Sequence, residues 1–417
     1  MNSHIEDKRA SREQITRECI NRALRTLRQF LGMDLAFIAE FENEIRIIRH
    51  VDLEGDVSPL WVGQEIPLNE GYCFDVVEGR LPELIPDTSL VPRAVAKPET
   101  KSIPVGAHLS VPIHLKGGAI YGTLCCLGAK PMPGLEARDL EVMRAVAELI
   151  GYHLDVLLEA HRTNDVRRVV IKSAIAAGLP DIAYQPVYRL SSGQIVGAEA
   201  LSRFPIEPSR SPDKWFAEAA KVGLERELAE LAIRRSLTRF AAGFEAGVVL
   251  ALNISPSLAC QVDLVHLFDC FPCDQIVLEI TEHEIVEDYE ALAEALVPIR
   301  ALGVRVAIDD MGAGYANIRH VLKMKPDAIK IDASLINEID KDPMKEAWIA
   351  GIMEFARLSS CTVLAEGVET QEELAVLMRL GVHLGQGFLL GRPMPVEEVV
   401  KAALAAKGDA DGARAAV

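Results

Sequence analysis

Two adjacent carboxylates, Asp309 and Asp310, follow the apolar stretch 304–308 and precede a segment containing Gly312 and Gly314. This pattern predicts a buried strand that ends where a glycine-rich loop begins. Neighbouring ionised carboxylates repel each other, so a cation, a shared proton or solvent must compensate, and a divalent metal would turn the repulsion into ligation. A helix N-cap with an exposed acidic neighbour is the alternative interpretation.

These carboxylates lie in a region where strand and helix patterns alternate from Asp181 onwards. About eight strands, mostly separated by helices, predict a β/α barrel rather than an open sheet, with active residues at the carboxyl ends of the strands. The helices are predicted at residues 214–241, 289–302, 343–358 and 371–380. The strands are predicted at residues 183–188, 195–201, 248–253, 276–280, 304–308, 328–331, 362–365 and 387–390.

Most of these strands carry a polar side chain near the carboxyl end. Burying such groups costs several kcal/mol each unless something pairs them. Oxygen ligands without histidine or cysteine favour a hard cation such as Mg²⁺ or Mn²⁺ over zinc. A helix cap or a surface ion pair is the alternative for any single one of them. The residues concerned are Glu199, Asn253, Glu279, Asp309, Asp310, Lys330 and Glu366.

The chain has 417 residues, which exceeds one ordinary domain and predicts two. Its hydrophobic fraction of 49% is that of a folded protein with a sizeable core. No apolar run approaches the roughly 18 residues needed to span a bilayer, and the polar start lacks the apolar core of a signal peptide. The formal charge of −17 argues against binding to a nucleic acid polymer or an anionic membrane. We therefore expect a cytoplasmic protein with no membrane and no nucleic acid partner.

The eight cysteines are scattered along the chain, which predicts reduced thiols rather than a secreted disulfide framework. Cys270 and Cys273 have the spacing of a redox pair or of half a zinc site. No second pair of cysteines or histidines follows at the distance of a zinc finger, so chance occurrence is the alternative.

The first part of the chain has a different sequence pattern, with a helix predicted at residues 11–31 and a long helix at 137–175. Between them, antiparallel strand pairs predict an α+β domain. The apolar positions of the long helix drift between heptad and 3.6-residue periods, so it could pack on the sheet, pair with its copy in a dimer, or both. The predicted strands are residues 35–41, 45–51, 108–115 and 120–127.

Across residues 182–395 the sequence resembles the EAL-domain phosphodiesterases, which hydrolyse cyclic di-GMP to linear pGpG. The resemblance implies a modified TIM-type β/α barrel with one strand antiparallel to the rest. A catalytically silent cyclic di-GMP receptor is the alternative, because the family includes members that bind without cutting. The motifs that carry the resemblance are Tyr184-Gln185-Pro186, Glu199-Ala200-Leu201 with Arg203, Asn253, Glu279 with Glu282, Asp309-Asp310, Lys330, Glu366-Gly367-Val368-Glu369 and Gln386-Gly387-Phe388.

The resemblance also implies a two-metal site, in which two divalent cations, Mg²⁺ or Mn²⁺, stabilise charge on the attacking and leaving oxygens. Asp309 would bridge the two cations, and Asp310 would hold the second. Lys330 and Glu366 would position and help deprotonate the attacking water. The other implied metal ligands are Glu199, Asn253 and Glu279. The implied substrate contacts are Gln185, Leu201, Arg203 and Gln386.

A regulatory loop is implied after Asp310. Glu282 would anchor this loop, and Glu369 would lie about one turn beyond Glu366. Ordinary exposed acids are the alternative interpretation of both residues. Met311 stands where the family usually has phenylalanine, and because methionine is of similar size but more flexible, this departure bears on loop order and dimer contacts more than on metal ligation. The members assigned to the loop are Met311, Gly312, Gly314, Glu282 and Glu369.

The first domain resembles the GAF sensor domains across residues 14–160, through Gly71-Tyr72-Cys73, Ile85-Pro86-Asp87-Thr88 and Tyr121-Gly122-Thr123-Leu124-Cys125-Cys126. This resemblance implies a small-molecule ligand of unknown identity, and an empty, purely dimerising domain is the alternative. A homodimer is implied by the family. The resulting organisation is a GAF-like sensor with an N-terminal helix at 1–160, a helical linker at 161–178 and an EAL phosphodiesterase barrel at 179–417.

Overall fold

The computed structural model describes residues 2–55, 59–207, 209–281, 288–312 and 318–415. The chain divides into two compact units, His4–Asp165 and Val166–Val417. In the part of the chain described, no helix combines the length and the apolar character needed to cross a bilayer.

The first unit contains a six-stranded sheet with the strand order β3-β2-β1-β6-β5-β4, in which the paired strands are antiparallel. Its strands are β1 Leu35–Glu42, β2 Ile45–Leu53, β3 Glu65–Pro67, β4 Leu84–Ile85, β5 Ala107–His114 and β6 Ile120–Gly128. Its helices are α1 Asn2–Leu31, α2 Cys73–Val77, α3 Pro92–Val95, α4 Pro98–Ser102 and the beginning of α5 Ala137–Ala176. The predicted α+β architecture is confirmed.

The sheet buries both of its faces, because side chains alternate between them along each strand. One face packs against α1 and α5 through residues such as Leu24 and Met143. The opposite face forms a second apolar cluster that includes Tyr72 from the segment before α2. Cys125 and Cys126 of β6 therefore belong to different clusters although they are adjacent in sequence.

The long helix α5 runs from Ala137 to Ala176, so the predicted linker 161–178 lies in its second half and the turn that follows. Met143, Ile150 and Leu154 are buried in the cluster on the sheet. Packing on the sheet, one of the alternatives left open by the sequence, is thus present in the first half of α5.

The second unit contains a closed eight-stranded barrel among the residues that the structure describes. β7 pairs antiparallel with both of its neighbours, β8 and β14, whereas the other neighbouring strands are parallel. This confirms the predicted modified barrel. Its strands are β7 Asp181–Arg189, β8 Gln194–Arg203, β9 Val249–Ile254, β10 Ile276–Ile280, β11 Arg305–Met311, β12 Ala328–Ile331, β13 Thr362–Ala365 and β14 Leu384–Gly385.

Helices cover the outside of the barrel and pack on it through a large apolar cluster that includes Leu237, Leu296 and Ile349. They are α6 Pro212–Lys221, α7 Glu225–Arg239, α8 Ala241–Glu245, α9 Pro256–Ala259, α10 Leu264–Phe268, α11 Tyr289–Ala301, α12 Ile318–Met324, α13 Ala333–Ile336, α14 Pro343–Ser359, α15 Gln371–Arg379 and α16 Val396–Ala415.

The prediction of a last strand at 387–390 is wrong, because β14 is Leu384–Gly385. Residues 387–390 instead form a turn, in which the N–H groups of Leu390 and Gly391 donate to the carbonyl of Gly387. A Cβ on Gly387 would lie 2.2 Å from the backbone of Val368, so only glycine fits this close approach. The apolar run that suggested a strand therefore belongs to a tightly packed turn.

Candidate functional site

Lys330 lies at the centre of a polar cluster in the barrel. It is placed by the alternation of β12, in which Ile329 and Ile331 are fully buried on one side of the strand and Lys330 projects from the other. Its side chain is 2% exposed. An ammonium buried to this degree must be surrounded by acceptors, since an unpaired buried charge costs several kcal/mol.

Four carboxylates surround the Lys330 ammonium. Glu279, on β10, and Glu366, just after β13, each place an oxygen 2.8 Å from Nζ. Oδ1 of Asp309, on β11, lies at 3.0 Å, and Oε2 of Glu199, on β8, at 3.4 Å. Because these acids come from four different strands, the closed barrel is what brings them together.

Glu199 is fixed by two further donors. Nδ2 of Asn253 donates to Oε1 of Glu199 at 2.8 Å, and Nε2 of Gln386 donates to Oε2 at 2.7 Å. Gln386 also donates to Oε1 of Glu366 at 3.2 Å and so connects two of the acids. Burial alone would raise the pKa of Glu199, but the charge of Lys330 and these donors outweigh burial and lower it.

Asp309 and Asp310 would point to opposite faces of a regular strand. Here the pairing of β11 with β12 is irregular between Ile308 and Met311, and Asp310 has a positive φ of 55°. The N–H of Asp310 donates to Oδ1 of Asp309 at 3.0 Å. This break in the alternation brings ligand oxygens of Asp309, Asp310 and Glu366 within 4.8 Å of one another.

The cluster holds more negative than positive charge. Burial, together with the repulsion of Glu199 and Asp309, raises the pKa of Glu279 well above its ordinary value, although Lys330 opposes this shift. Burial and the same two carboxylates raise the pKa of Glu366 to about 7. Burial alone would lower the pKa of Lys330, but the surrounding carboxylates raise it well above its usual value. Lys330 is therefore an ammonium and does not compensate all of its neighbours.

The donor set fits a hard divalent cation. The grouped atoms are carboxylate oxygens, which Mg²⁺ and Mn²⁺ prefer. Oε1 of Gln386 is buried beside Glu199 and Glu366 and has no hydrogen-bond partner among the residues that the structure describes. A buried acceptor without a donor indicates that a cation or an ordered water completes the site. Glu366, which the sequence assigns to the attacking water, therefore lies beside both aspartates of the candidate metal site.

The residues predicted to contact substrate differ in their exposure. Nε2 of Gln185, on β7, donates to the carbonyl of Gly391 at 3.2 Å, and Gln185 is 9% exposed. Leu201 is half-buried on β8. Arg203 is exposed at the end of β8, where Nη1 donates to the carbonyl of Ser202 at 2.9 Å.

Two of the predicted loop residues are described in the segment after Asp310. Met311 ends β11 and is buried in the barrel core, so it belongs to the strand rather than to the loop. Gly312 follows with a φ of +112°, and a Cβ there would lie 2.2 Å from Cδ1 of Leu335. Glu282 and Gly314 lie outside the described residues.

Glu369 is exposed, and its N–H donates to Oε2 of Glu373 at 2.9 Å. Glu373 was missed by the sequence analysis. Its buried carboxylate also accepts from the N–H groups of Thr370 and Glu338, so it holds the loop after Glu366 against the segment that follows α13. Thr370 and Glu373 form a capping box, which is the sequence signal that could have revealed this residue.

Cys270 and Cys273 have weakly acidic thiols. A hydrogen bond to Asp269 raises the pKa of Cys270, and burial and Asp274 raise that of Cys273. Because the thiolate is the reactive form, these shifts favour chance occurrence of the spacing over a redox pair.

Comparison with known proteins agrees with the architecture. A family model described as the EAL domain matches residues 169–393, which is more than half of the chain, and a model described as the GAF domain matches residues 16–154. A solved structure described as the PaMucR phosphodiesterase in complex with c-di-GMP has a TM-score of 0.51 and 29% sequence identity. That alignment covers 56% of this chain and 99% of the other.

Two curated relatives each match slightly more than half of the chain. The bifunctional diguanylate cyclase/cyclic di-GMP phosphodiesterase MucR of Pseudomonas aeruginosa is 32% identical over 228 residues, which are 52% of this chain and 33% of that protein. The probable cyclic di-GMP phosphodiesterase PdeN of Escherichia coli is 32% identical over 232 residues, 53% of this chain and 44% of that protein. The chain thus spans less than half the length of these relatives.

Proposed function

Because this chain belongs to the EAL domain family and carries a GAF domain before its barrel, we propose that it is a divalent-cation-dependent phosphodiesterase that hydrolyses cyclic di-GMP to linear pGpG. The observation that carries the proposal is the concentration of buried acids around the single ammonium of Lys330. The relatives named for cyclic di-GMP phosphodiesterase activity supply the substrate class.

The proposed metal ligands are the oxygen-bearing side chains of the cluster. Asp309 and Asp310 are supported by their proximity to each other and to Glu366. Bound Mg²⁺ or Mn²⁺ would supply Lewis-acid stabilisation of the phosphodiester and a more acidic water. Two cations are proposed, with Asp309 as the bridge. The remaining proposed ligands are Glu199, Asn253 and Glu279.

Lys330 and Glu366 are proposed as the catalytic pair. Glu366 is a carboxylate beside the aspartates, so it can accept a proton from the attacking water. Lys330 touches Glu366 at 2.8 Å and remains cationic, so its role is to orient Glu366 and stabilise negative charge rather than to accept the proton.

Substrate contacts are proposed for Arg203, Gln386, Gln185 and Leu201. Arg203 is exposed and cationic, which suits a phosphate of the substrate. Gln386 touches two of the acids and Gln185 touches the turn that follows Gln386, so these two amides would hold the site around the ligand. Leu201 would contribute apolar contact.

Regulation by the first domain is proposed to act on the segment after Asp310, which includes Met311 and Gly312. The ligand of the first domain would be a small molecule.

The protein is also proposed to form a homodimer, supported by the exposed apolar residues Leu149, Tyr152 and Val156 on α5, which recur at helical spacing away from the buried face. In sedimentation velocity, a Leu149→Glu variant should dissociate more readily than the wild type.

The experiment that tests the function is incubation of the purified full chain with cyclic di-GMP and Mg²⁺ or Mn²⁺, followed by identification of the nucleotide products. The expected product is pGpG, and Glu199→Ala should not form it because a metal ligand is lost. Glu354→Ala, which changes an exposed acid on α14, is the matched control and should retain activity. Binding of cyclic di-GMP by wild type without any pGpG would identify a silent receptor and overturn the enzyme proposal.

A further inference from the structure

A pair of cysteines lies in contact inside the first domain. Cys73 is the first residue of α2, and Cys125 lies in β6 on the face of the sheet that α2 covers. Both side chains are fully buried, and their sulfur atoms are 3.3 Å apart. A disulfide has a sulfur–sulfur distance of about 2.05 Å, so the two atoms need to approach by only about 1 Å to bond.

The polar surroundings of the pair distinguish the two thiols. Nη1 of Arg46 donates to Sγ of Cys73 at 3.1 Å, and the same guanidinium is paired with Glu99 at 2.7 Å. Sγ of Cys125 contacts the hydroxyls of Ser110 and Thr123 at 3.1 and 3.2 Å. A cation therefore faces Cys73, whereas neutral groups face Cys125, and a cation beside a thiol favours its thiolate.

The acidity of the thiols follows the same division. The hydrogen bond with Cys125 and the charge of Arg46 outweigh burial and lower the pKa of Cys73 to about 7. Burial and the neighbouring Cys73 raise the pKa of Cys125 well above its usual value. Cys126 is equally buried but has no thiol partner in the described contacts, and burial raises its pKa to about 12. Burial alone therefore does not account for the lowered pKa of Cys73.

We propose that Cys73 and Cys125 are a redox-active dithiol that closes reversibly into an intramolecular disulfide when the protein encounters a hydroperoxide. The Cys73 thiolate attacks the terminal oxygen of the hydroperoxide, which breaks the O–O bond and gives a sulfenic acid and an alkoxide, or hydroxide where the oxidant is hydrogen peroxide. The sulfur of Cys125 then attacks the sulfenic sulfur, forming the S–S bond as the hydroxyl group leaves and takes the Cys125 proton as water. Two electrons pass from the sulfurs to the peroxide, and an added dithiol reduces the disulfide back to two thiols.

The surrounding contacts can accommodate both states. When the thiolate is lost, Arg46 keeps its ion pair with Glu99, so its charge remains compensated. The disulfide would tie α2, a helix of five residues, to the central strand β6. Opening of so short a segment gives a small peroxide access to the buried sulfurs.

The test uses the full chain, reduced and then treated with hydrogen peroxide, after which it is denatured and its remaining thiols are alkylated for mass spectrometry. Oxidation should lower the mass of the chain by two hydrogen atoms before alkylation, and it should remove two alkylatable thiols per chain. Trypsin should release a cross-linked species that joins peptide 50–80, which contains Cys73, to peptide 117–138, which contains Cys125 and Cys126. Dithiothreitol should restore both thiols.

Assignment within the second peptide comes from variants. Cys126→Ala should keep the cross-link, and Cys270→Ala with Cys273→Ala should keep it too, whereas Cys73→Ala should lose it. The wild-type map does not depend on whether Cys73→Ala folds. Full alkylation of Cys73 after peroxide treatment, or a link between Cys125 and Cys126, would overturn the proposal.

Discussion

In the described part of each domain, one strongly basic side chain is at most 2% exposed, Arg46 in the first domain and Lys330 in the barrel, and the two differ in how the charge is compensated. Arg46 in the first domain faces one carboxylate, Glu99, and one thiol, Cys73. Lys330 in the barrel faces four carboxylates, and Asp310 lies beside them. The first centre is therefore close to charge balance, whereas the second carries an excess of negative charge.

This difference distinguishes a structural charge centre from one that can bind a cation. A charge-matched buried pair needs nothing more from solution, although it is costly to break. An excess of buried carboxylates is destabilising by itself and becomes favourable when a divalent cation binds. We therefore expect stability to respond in opposite directions when a carboxylate is removed from the two centres.

The largest expected effect is that of Lys330→Met. Removing the ammonium leaves buried carboxylates uncompensated, so the free energy of unfolding without metal should fall by about 3 to 5 kcal/mol. Turnover of cyclic di-GMP should fall about 100-fold or more, because stabilisation of developing charge is lost. Denaturant unfolding in EDTA and pGpG assays measure the two effects.

The control for Lys330→Met is Lys341→Met, which removes an exposed ammonium paired with one exposed glutamate, Glu338. It should leave both measurements unchanged. Equal stability of Lys330→Met and the wild type in EDTA would show that the carboxylates do not depend on this cation.

Glu99→Gln should destabilise the first domain by about 3 to 5 kcal/mol, because it leaves the charge of Arg46 buried without its carboxylate. Added Mn²⁺ should not restore this loss, in contrast to the barrel. Thermal unfolding with and without Mn²⁺ measures it, and Glu78→Gln, at an exposed acid, is the control. If Glu99→Gln is as stable as the wild type, Arg46 does not depend on this carboxylate, and the contrast between the two charge centres is wrong.

The pH dependence of stability should also differ. Because the pKa of Glu366 is raised to about 7 in the folded protein, the folded state is favoured below its ordinary value of 4.5 and loses stability as pH rises towards 7. In EDTA, the stability advantage of Glu366→Gln over wild type should therefore grow to about 3 kcal/mol above pH 7. Denaturant unfolding from pH 5 to 8 measures this difference, and a constant difference would contradict it.

Asp75 in the first domain should behave oppositely. Burial alone would raise its pKa, but Arg93, Lys97 and Arg80 lower it. Its contribution to stability is therefore present above the pKa of an unfolded aspartate, about 3.9, and is lost only in acid. Asp75→Asn should thus lose its destabilising effect as the solution is acidified, as unfolding of the variant and wild type at pH 2 to 6 would show.

The smallest effect is expected for Met311→Phe. Met311 is already in the barrel core, so a side chain of similar size should change stability by less than about 1.5 kcal/mol and keep turnover within a few-fold. Steady-state assays and metal titration measure any shift in basal activity or metal affinity. A loss as large as that of Lys330→Met would mean that this position controls the site itself.

Much of the fold could be predicted because local patterns carry it. Strand alternation and turn residues located β1, β2, β5 and β6, and the succession of strands and helices indicated the closed barrel. β14 could not be located in this way, since it has two residues and its pairing is decided by β13 and β7. The apolar run at 388–390 gave a stronger local signal than the true strand.

The sequence indicated several residues of the polar cluster but not the contacts among them. Strand ends indicated Glu279, Lys330 and Glu366, yet the convergence of four acids on one ammonium depends on distances across the barrel. The irregular pairing at Asp310 leaves no periodic signal. The contact between Cys73 and Cys125 likewise joins segments 52 residues apart, and no local pattern reports it.

The central claim is that the excess negative charge of the barrel is the binding site of the divalent cations that support phosphodiester hydrolysis. The most direct test is the rate of pGpG formation by metal-stripped protein as Mn²⁺ is added back. We expect no turnover in EDTA and a saturable rise with Mn²⁺ that Asp309→Asn abolishes. Equal turnover in EDTA and in Mn²⁺, or an unchanged Mn²⁺ response in Asp309→Asn, would contradict it.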